Sequence, residues 1–134
     1  MTRRALALAA ATVLLTPALR AHHSIYGVYD SSRQATLEGT VAEFQLINPH
    51  PFLFIDVAGD GGAERWKLEL DNRSELAAIG VTASTFKRGE RVVVSGSLSR
   101  TFGQTMYLLR LDRPADGFWY EQVGQSPKVG VGAR

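Results

Sequence analysis

The sequence contains no cysteine. A chain without thiols forms no disulfides, zinc ribbons or iron–sulfur sites, and it has no thiol nucleophile or lipidated N-terminal cysteine. It also lacks a Gly-x-Ser-x-Gly elbow, a phosphate-binding glycine loop and a calcium loop, so no common hydrolase or nucleotide motif is present. The 134 residues are 45% hydrophobic and 21% charged, which is the balance of one globular domain.

The N-terminal segment has the pattern of an export signal. The pair Arg3-Arg4 is followed by the apolar run 5–15, which is too short to span a bilayer. We predict a cleaved signal peptide over residues 1–21 and a periplasmic or secreted mature protein. The arginine pair also fits export by the twin-arginine route, and cuts after Ala18 or Arg20 are alternative processing sites.

Export would change the charge of the chain. Three of its 15 basic residues lie in the predicted signal peptide, which leaves 12 basic and 13 acidic side chains. A nearly neutral surface gives little attraction to nucleic acid or anionic lipid. No later apolar run reaches transmembrane length. We therefore expect neither a nucleic-acid partner nor stable membrane insertion.

The central part of the chain alternates between apolar and polar residues, as β-strands do. The five predicted strands comprise residues 36–46, 52–57, 65–70, 91–98 and 106–112. Asn72 or Ser74 caps a short helix between the third and fourth strands, and Gly80 ends it. This order predicts a mainly β, OB-fold-like five-stranded barrel over 22–120, followed by a flexible tail over 121–134. Another small β-barrel or a sandwich is the alternative.

Three histidines are the residues best suited to chemistry. His22 and His23 would begin the mature chain, and His50 lies between prolines in the turn Asn48-Pro49-His50-Pro51. Two prolines stiffen such a turn and present the imidazole in a fixed position. The structural alternative is a ring that only donates a hydrogen bond to a backbone carbonyl.

Cleavage before His22 would create a copper chelate. The new amine and Nδ1 of His22 can hold one ion, and His23 or His50 can supply a third nitrogen, an arrangement called a histidine brace. Amine and imidazole nitrogens in one plane suit Cu(II). A cut one residue earlier would give another copper chelate, and a cut three residues earlier would give neither. The sequence predicts a copper site at His22, His23 and His50, supported by Asn48 and Pro49.

Several short motifs follow one another in a recognisable order: His22-His23-Ser24, Thr36-Leu37-Glu38-Gly39-Thr40-Val41, Asn48-Pro49-His50, Trp66-Lys67-Leu68-Glu69, the segment 76–80 and Arg88-Gly89-Glu90-Arg91-Val92. This order resembles an exported bacterial family recorded as domain of unknown function 6152, over residues 22–117. The family keeps the His-His-Ser start and the Asn-Pro-His turn. The resemblance therefore implies that His22, His23, Asn48 and His50 act together, but it implies no activity. Ile47 departs from the family, which often has an aromatic residue there.

Aromatic side chains form a second candidate site. Phe52, Phe54 and Trp66 are candidates for a ligand face, because OB barrels bind their ligands partly by aromatic stacking. The alternative is that these rings belong to the core. In the last predicted strand, alternation places Tyr107, Leu109 and Leu111 on one face.

The sequence as a whole favours an exported binding protein that holds copper. The alternative is a metal-free interaction module that binds a periplasmic protein or small ligand with an open face of the barrel. No enzymatic activity is expected. A copper oxidase or oxygenase built on the histidine brace is the remaining enzymatic alternative.

Overall fold

The computed structural model describes residues 25–122, 124 and 126–133. The predicted signal peptide 1–21 and the candidate ligands His22 and His23 lie outside these residues. The described elements are, in chain order, α1 (Ile25–Val28), β1 (Tyr29–Gln45), β2 (Phe52–Gly59), β3 (Gly62–Glu69), α2 (Arg73–Ala78), β4 (Arg91–Ser99), β5 (Thr105–Arg113), β6 (Phe118–Glu121) and β7 (Lys128–Val131).

Five of the strands close into a ring. β1 pairs with β4 through its first part and with β2 through its last part, and Thr40 has partners in both neighbours. β3 completes the hairpin with β2 and pairs in parallel with β5, which returns to β4. The fold is therefore mainly β with two short helices, as the alternation in the sequence predicts.

The long strand β1 pairs with both β2 and β4 because it bends. A Cβ atom at Gly39 would lie 2.7 Å from the carbonyl oxygen of Asp56, so only glycine permits this approach of the two backbones. The register with β2 then shifts between Val41 and Glu43. A bulge of this kind increases the local twist and helps a sheet to curve.

The core fills the ring with inward-facing side chains from every strand. The fully buried ones are Val41, Leu53, Ile55, Leu68, Leu70, Leu76, Val92, Val94, Met106, Leu108, Leu111 and Tyr120. α2 contributes Leu76 and is capped by Asn72, whose side-chain oxygen accepts a hydrogen bond from the Ser74 amide. Of the two predicted caps, Asn72 is therefore the one used.

A bulge in β5 changes the faces predicted for that strand. The register with β4 shifts between Ser95 and Gly96, so that Leu109 is an extra residue. Leu108 and Leu111 are both buried in the core, and Tyr107 lies on the opposite face from Leu108. The prediction that Tyr107 and Leu111 share a face is therefore wrong, because simple alternation does not continue through the bulge.

The C-terminal segment adds two strands to the ring. β6 pairs with β5, and β7 pairs with β6. The predicted flexible tail over 121–134 thus contains a paired strand. Its glycines suggested a loose segment, but Gly130 lies against the Trp119 ring, where a side chain would not fit. Within the described residues, no helix has the length and apolar character needed to cross a membrane.

Candidate functional site

A cleft of about 1420 Å³ lies on the outside of the ring. Leu68 of β3 is in the core, so its neighbour Glu69 points to the outer face, where it lines the cleft. The remaining walls come from α1, the first part of β1, the loop after β1, the start of β2, the start of α2, the strands β4 and β5, and the segment around the end of β6. Concave surfaces with apolar walls and a few polar groups are the usual places for ligand binding.

The turn that carries His50 is tied to the connection between β3 and α2. The Leu70 amide donates to the carbonyl of Pro51, and the Arg73 amide donates to the carbonyl of Pro49, both at 2.9 Å. The Asn48–Pro49 peptide is cis. Asn48, Pro49 and His50 all line the cleft. Two backbone hydrogen bonds thus hold the turn from both sides of the histidine.

His50 forms a hydrogen bond to the backbone through one of its ring nitrogens. Nδ1 lies 3.2 Å from the carbonyl oxygen of Leu70. A carbonyl oxygen only accepts, so Nδ1 carries the proton in this hydrogen bond and Nε2 of the neutral ring keeps its lone pair. Glu69 Oε1 is 3.8 Å from the same Nδ1. A backbone carbonyl or a carboxylate on the second nitrogen is the arrangement that orients metal-binding histidines in proteins.

Glu69 also binds a buried tyrosine. The Tyr29 hydroxyl donates to Glu69 Oε2 at 2.5 Å, and the Tyr29 ring lies 5.7 Å from the Tyr107 ring. Burial, followed by the hydrogen bond to Glu69, raises the pKa of Tyr29 far above its ordinary value. Burial and the nearby carboxylates of Asp71 and Glu69 raise the pKa of Tyr107 in the same way. Both phenols are therefore neutral hydrogen-bonding groups at physiological pH.

Two carboxylates meet at the start of α2. Asp71 is buried, and its Oδ1 accepts a hydrogen bond of 2.7 Å from the Asn72 amide. The side chain of Glu75 is hydrogen-bonded to Asp71, and this contact raises the pKa of Glu75 above its ordinary value. Two carboxyl groups in contact favour a shared proton or a bound cation. Together with Glu69, they make this part of the cleft acidic.

The structure does not bring the three candidate aromatic residues together. In the β2–β3 hairpin, Phe52 pairs with Glu69, whereas Ile55 pairs with Trp66. Trp66 therefore lies on the core side, and Phe52 and Phe54 lie on the other face. Phe52 lines the cleft, and Lys67 Nζ lies 3.9 Å from the centre of its ring. The alternation predicted within each strand is correct. The register between β2 and β3 determines which side chains of the two strands lie on the same face.

A metal site is not complete within the part of the chain that the structure describes. Among those residues, no group of three histidine, aspartate or glutamate side chains is arranged to hold a metal ion. Of the candidate ligands, His50 lies on the cleft wall. Ile25, which follows His22 by three residues in the sequence, lines the same cleft.

Several contacts and residues of the cleft were not predicted from the sequence. Tyr29 and Glu69 are 40 residues apart, and no local pattern links them. Gln122 lines the cleft from a segment that the sequence assigned to a tail. Asn72, which directly follows a strand, was predicted only as a helix cap, and it lines the cleft together with Asp71.

This mainly β ring with a lateral cleft can be compared with known proteins. The model of DUF6152, described as a family of unknown function, matches residues 10–106. The chain belongs to this family, as its motifs indicated. The matched range includes His22, His23 and the turn Asn48-Pro49-His50. Comparisons with curated proteins and with solved structures gave no match.

Proposed function

We propose that this protein is an exported copper-binding protein whose site combines His22, His23 and His50. The observation that carries the proposal is the hydrogen bond between His50 Nδ1 and the Leu70 carbonyl, since it leaves Nε2 as the nitrogen available to a metal. His50 lines the cleft, so the available nitrogen belongs to a side chain that a ligand can reach.

The N-terminus of a chain cut before His22 can reach this cleft. A segment of three residues spans at most about 11 Å when extended, and Ile25 already lines the cleft that contains His50. The amine and Nδ1 of His22 would provide two nitrogens, and Nε2 of His50 would provide a third. His23 is the alternative donor. This all-nitrogen set suits Cu(II), which has the highest affinity among the divalent first-row metals.

The proposed location and fold agree with this role. Removal of the signal peptide 1–21 is what creates the free amine, so export by the general or twin-arginine route precedes metal binding. The ring order β1-β2-β3-β5-β4, with α2 between β3 and β4, supports an OB-like barrel. We propose copper handling or delivery in the periplasm or outside the cell, with no catalytic step.

Native mass spectrometry of untagged protein exported to a periplasm tests the proposal. Before any metal is added, we expect a mass that begins at His22 and includes one copper ion. A matched sample with three extra residues before His22 should lose the copper, because the N-terminal amine then forms a chelate with neither His22 nor His23. A mass that begins at Leu19, or a His22 start without copper and without tight uptake on titration, would refute the proposal.

The second candidate is a metal-free interaction module. The size of the cleft and its mixed aromatic and acidic lining favour it, because they provide a ligand surface independent of the histidines. This module would bind a periplasmic protein or a small ligand. An extended N-terminus should leave such binding intact, whereas copper binding through the brace should be lost.

A further inference from the structure

The side chains that line the cleft carry an excess of negative charge. Its acidic residues are Glu69, Asp71, Glu75 and Glu121, and its basic residues are His50 and Arg110. Arg110 donates hydrogen bonds of 2.7 and 2.8 Å to Asp112, so its charge is already matched outside the cleft. A wall of this composition attracts cations and repels anions.

Three of these carboxylates have hydrogen-bond partners within the fold. Glu69 is fixed by Tyr29, and Asp71 is fixed by the Asn72 amide. Glu75 is hydrogen-bonded to Asp71, and this contact raises the pKa of Glu75 above its ordinary value. An ammonium group beside the two carboxylates would supply a full positive charge and several hydrogen-bond donors.

A separate feature on the cleft wall also calls for a hydrogen-bond donor. Gln122 is only 8% exposed, and it lines the cleft. Its buried Oε1 has no hydrogen-bond partner within residues 25–122, 124 and 126–133. A buried acceptor left without a donor destabilises the fold, because its hydrogen bond to water is lost without replacement. Gln122 follows β6 rather than β3 or α2, so this observation is independent of the carboxylates.

Apolar side chains complete the lining. Val28, Phe52 and Leu109 contribute surface to the same cleft. An aliphatic chain would cover them, whereas a bare metal ion or ammonium ion would leave them in water. The volume of about 1420 Å³ is large enough for an extended organic molecule.

We propose that the cleft binds a linear aliphatic amine with at least two ammonium groups. Glu69 and the pair Asp71–Glu75 bind the ammonium groups, Gln122 Oε1 accepts a hydrogen bond from one of them, and the apolar walls hold the chain. This site goes beyond the proposed copper function and does not require the metal, because none of these four residues is a proposed copper ligand.

Calorimetric titration of the full chain with diaminooctane tests the proposal, with EDTA present to remove metal. The neutral control is octanediol, which has the same chain length and no charge. We expect the diamine to bind at least about tenfold more tightly, which corresponds to about 1.4 kcal/mol. Equal binding of the two compounds, or no heat from the diamine up to millimolar concentration, would overturn the proposal.

Two charge-neutralising variants locate the site. Glu75→Gln should weaken diamine binding about tenfold, and it lies on an exposed helix surface where the fold tolerates it. Glu64→Gln removes the same charge from an exposed position that does not line the cleft, so affinity should change less than about twofold. Equal losses in both variants would mean that the diamine responds only to overall charge, and the proposed site would be wrong.

A third sample separates this proposal from the copper function. Three extra residues before His22 should abolish the N-terminal copper chelate but leave diamine affinity unchanged. Loss of diamine binding in that sample would contradict an independent amine site. Retained diamine binding together with absent copper in the unmodified protein would refute only the copper proposal.

Discussion

The hydroxyl of Tyr29 donates a 2.5 Å hydrogen bond to Oε2 of Glu69, although 40 residues separate them in the chain. The other carboxylate oxygen of Glu69 lies 3.8 Å from His50 Nδ1. Glu69 thus lies between the Tyr29 hydroxyl and His50, the one histidine among the residues that the structure describes. Through it, the start of β1, the end of β3 and the turn after β1 are joined at one wall of the cleft.

Removal of this hydrogen bond should destabilise the fold. Tyr29→Phe keeps the ring against Tyr107 and deletes only the hydroxyl that binds the carboxylate. We expect a loss of about 1.5–3 kcal/mol in the free energy of unfolding, the range for hydrogen bonds to charged groups. Urea denaturation measures this change. Tyr26→Phe, at a residue that is 76% exposed, should change stability by less than about 0.5 kcal/mol. Equal effects of the two variants would show that the bond contributes nothing.

The bulge in β5 should depend on Gly96. A Cβ atom at this position would overlap the carbonyl oxygen of Tyr107, and backbone atoms cannot move aside cheaply. We expect Gly96→Ala to destabilise the fold by about 2–4 kcal/mol. Gly61→Ala is the matched control, because its Cβ would meet no atom within 4 Å. Thermal unfolding of both variants checks the prediction, and an unaffected Gly96→Ala would contradict the observed register.

The carboxylate pair should lower stability at neutral pH. Contact with Asp71 raises the pKa of Glu75, so the folded state favours the protonated form of Glu75. The resulting penalty is absent at low pH and appears as the pH rises through the pKa of the folded state. We therefore expect Glu75→Gln to stabilise the protein at pH 7 by less than about 1 kcal/mol, since the site is exposed.

The pH dependence provides the control for that prediction. Well below 4.5, the ordinary pKa of glutamate, Glu75 is neutral in both the folded and the unfolded state, so the gain from Glu75→Gln should vanish. Denaturation midpoints of the wild type and the variant across the acidic range measure this. A gain that stays constant with pH would mean that helix propensity, and not charge, is responsible.

The fold was largely predictable because its main signals are local. Alternation located the five strands of the ring, and Asn72 marked the start of α2. The bulge in β5 was not predictable, because no pattern in a short stretch of sequence indicates that Leu109 is an extra residue. β7 was missed for a similar reason, since Gly130 is required by its contact with Trp119, which only the tertiary structure reveals.

The candidate site was predictable only in part. The stiff turn identified His50 as a presented side chain, and the structure places it on the cleft wall. The residues that determine the polarity of the cleft come from segments that are far apart in the sequence, as with Tyr29 and Gln122. The predicted aromatic face combined residues whose strands were correct, but the pairing of Ile55 with Trp66 places that ring on the core side. Register between strands is a tertiary property that alternation within one strand does not contain.

The copper affinity of His50 variants tests the central claim most directly. His50→Asn keeps a side-chain N–H that can donate to the Leu70 carbonyl but removes Nε2, and His50→Ala removes both nitrogens. In protein that begins at His22, we predict that each variant weakens Cu(II) binding about a hundredfold, or about 2.7 kcal/mol. Circular dichroism should show that His50→Asn remains folded. Unchanged copper affinity in His50→Asn would contradict the account, because the metal would then be held by the N-terminal peptide alone.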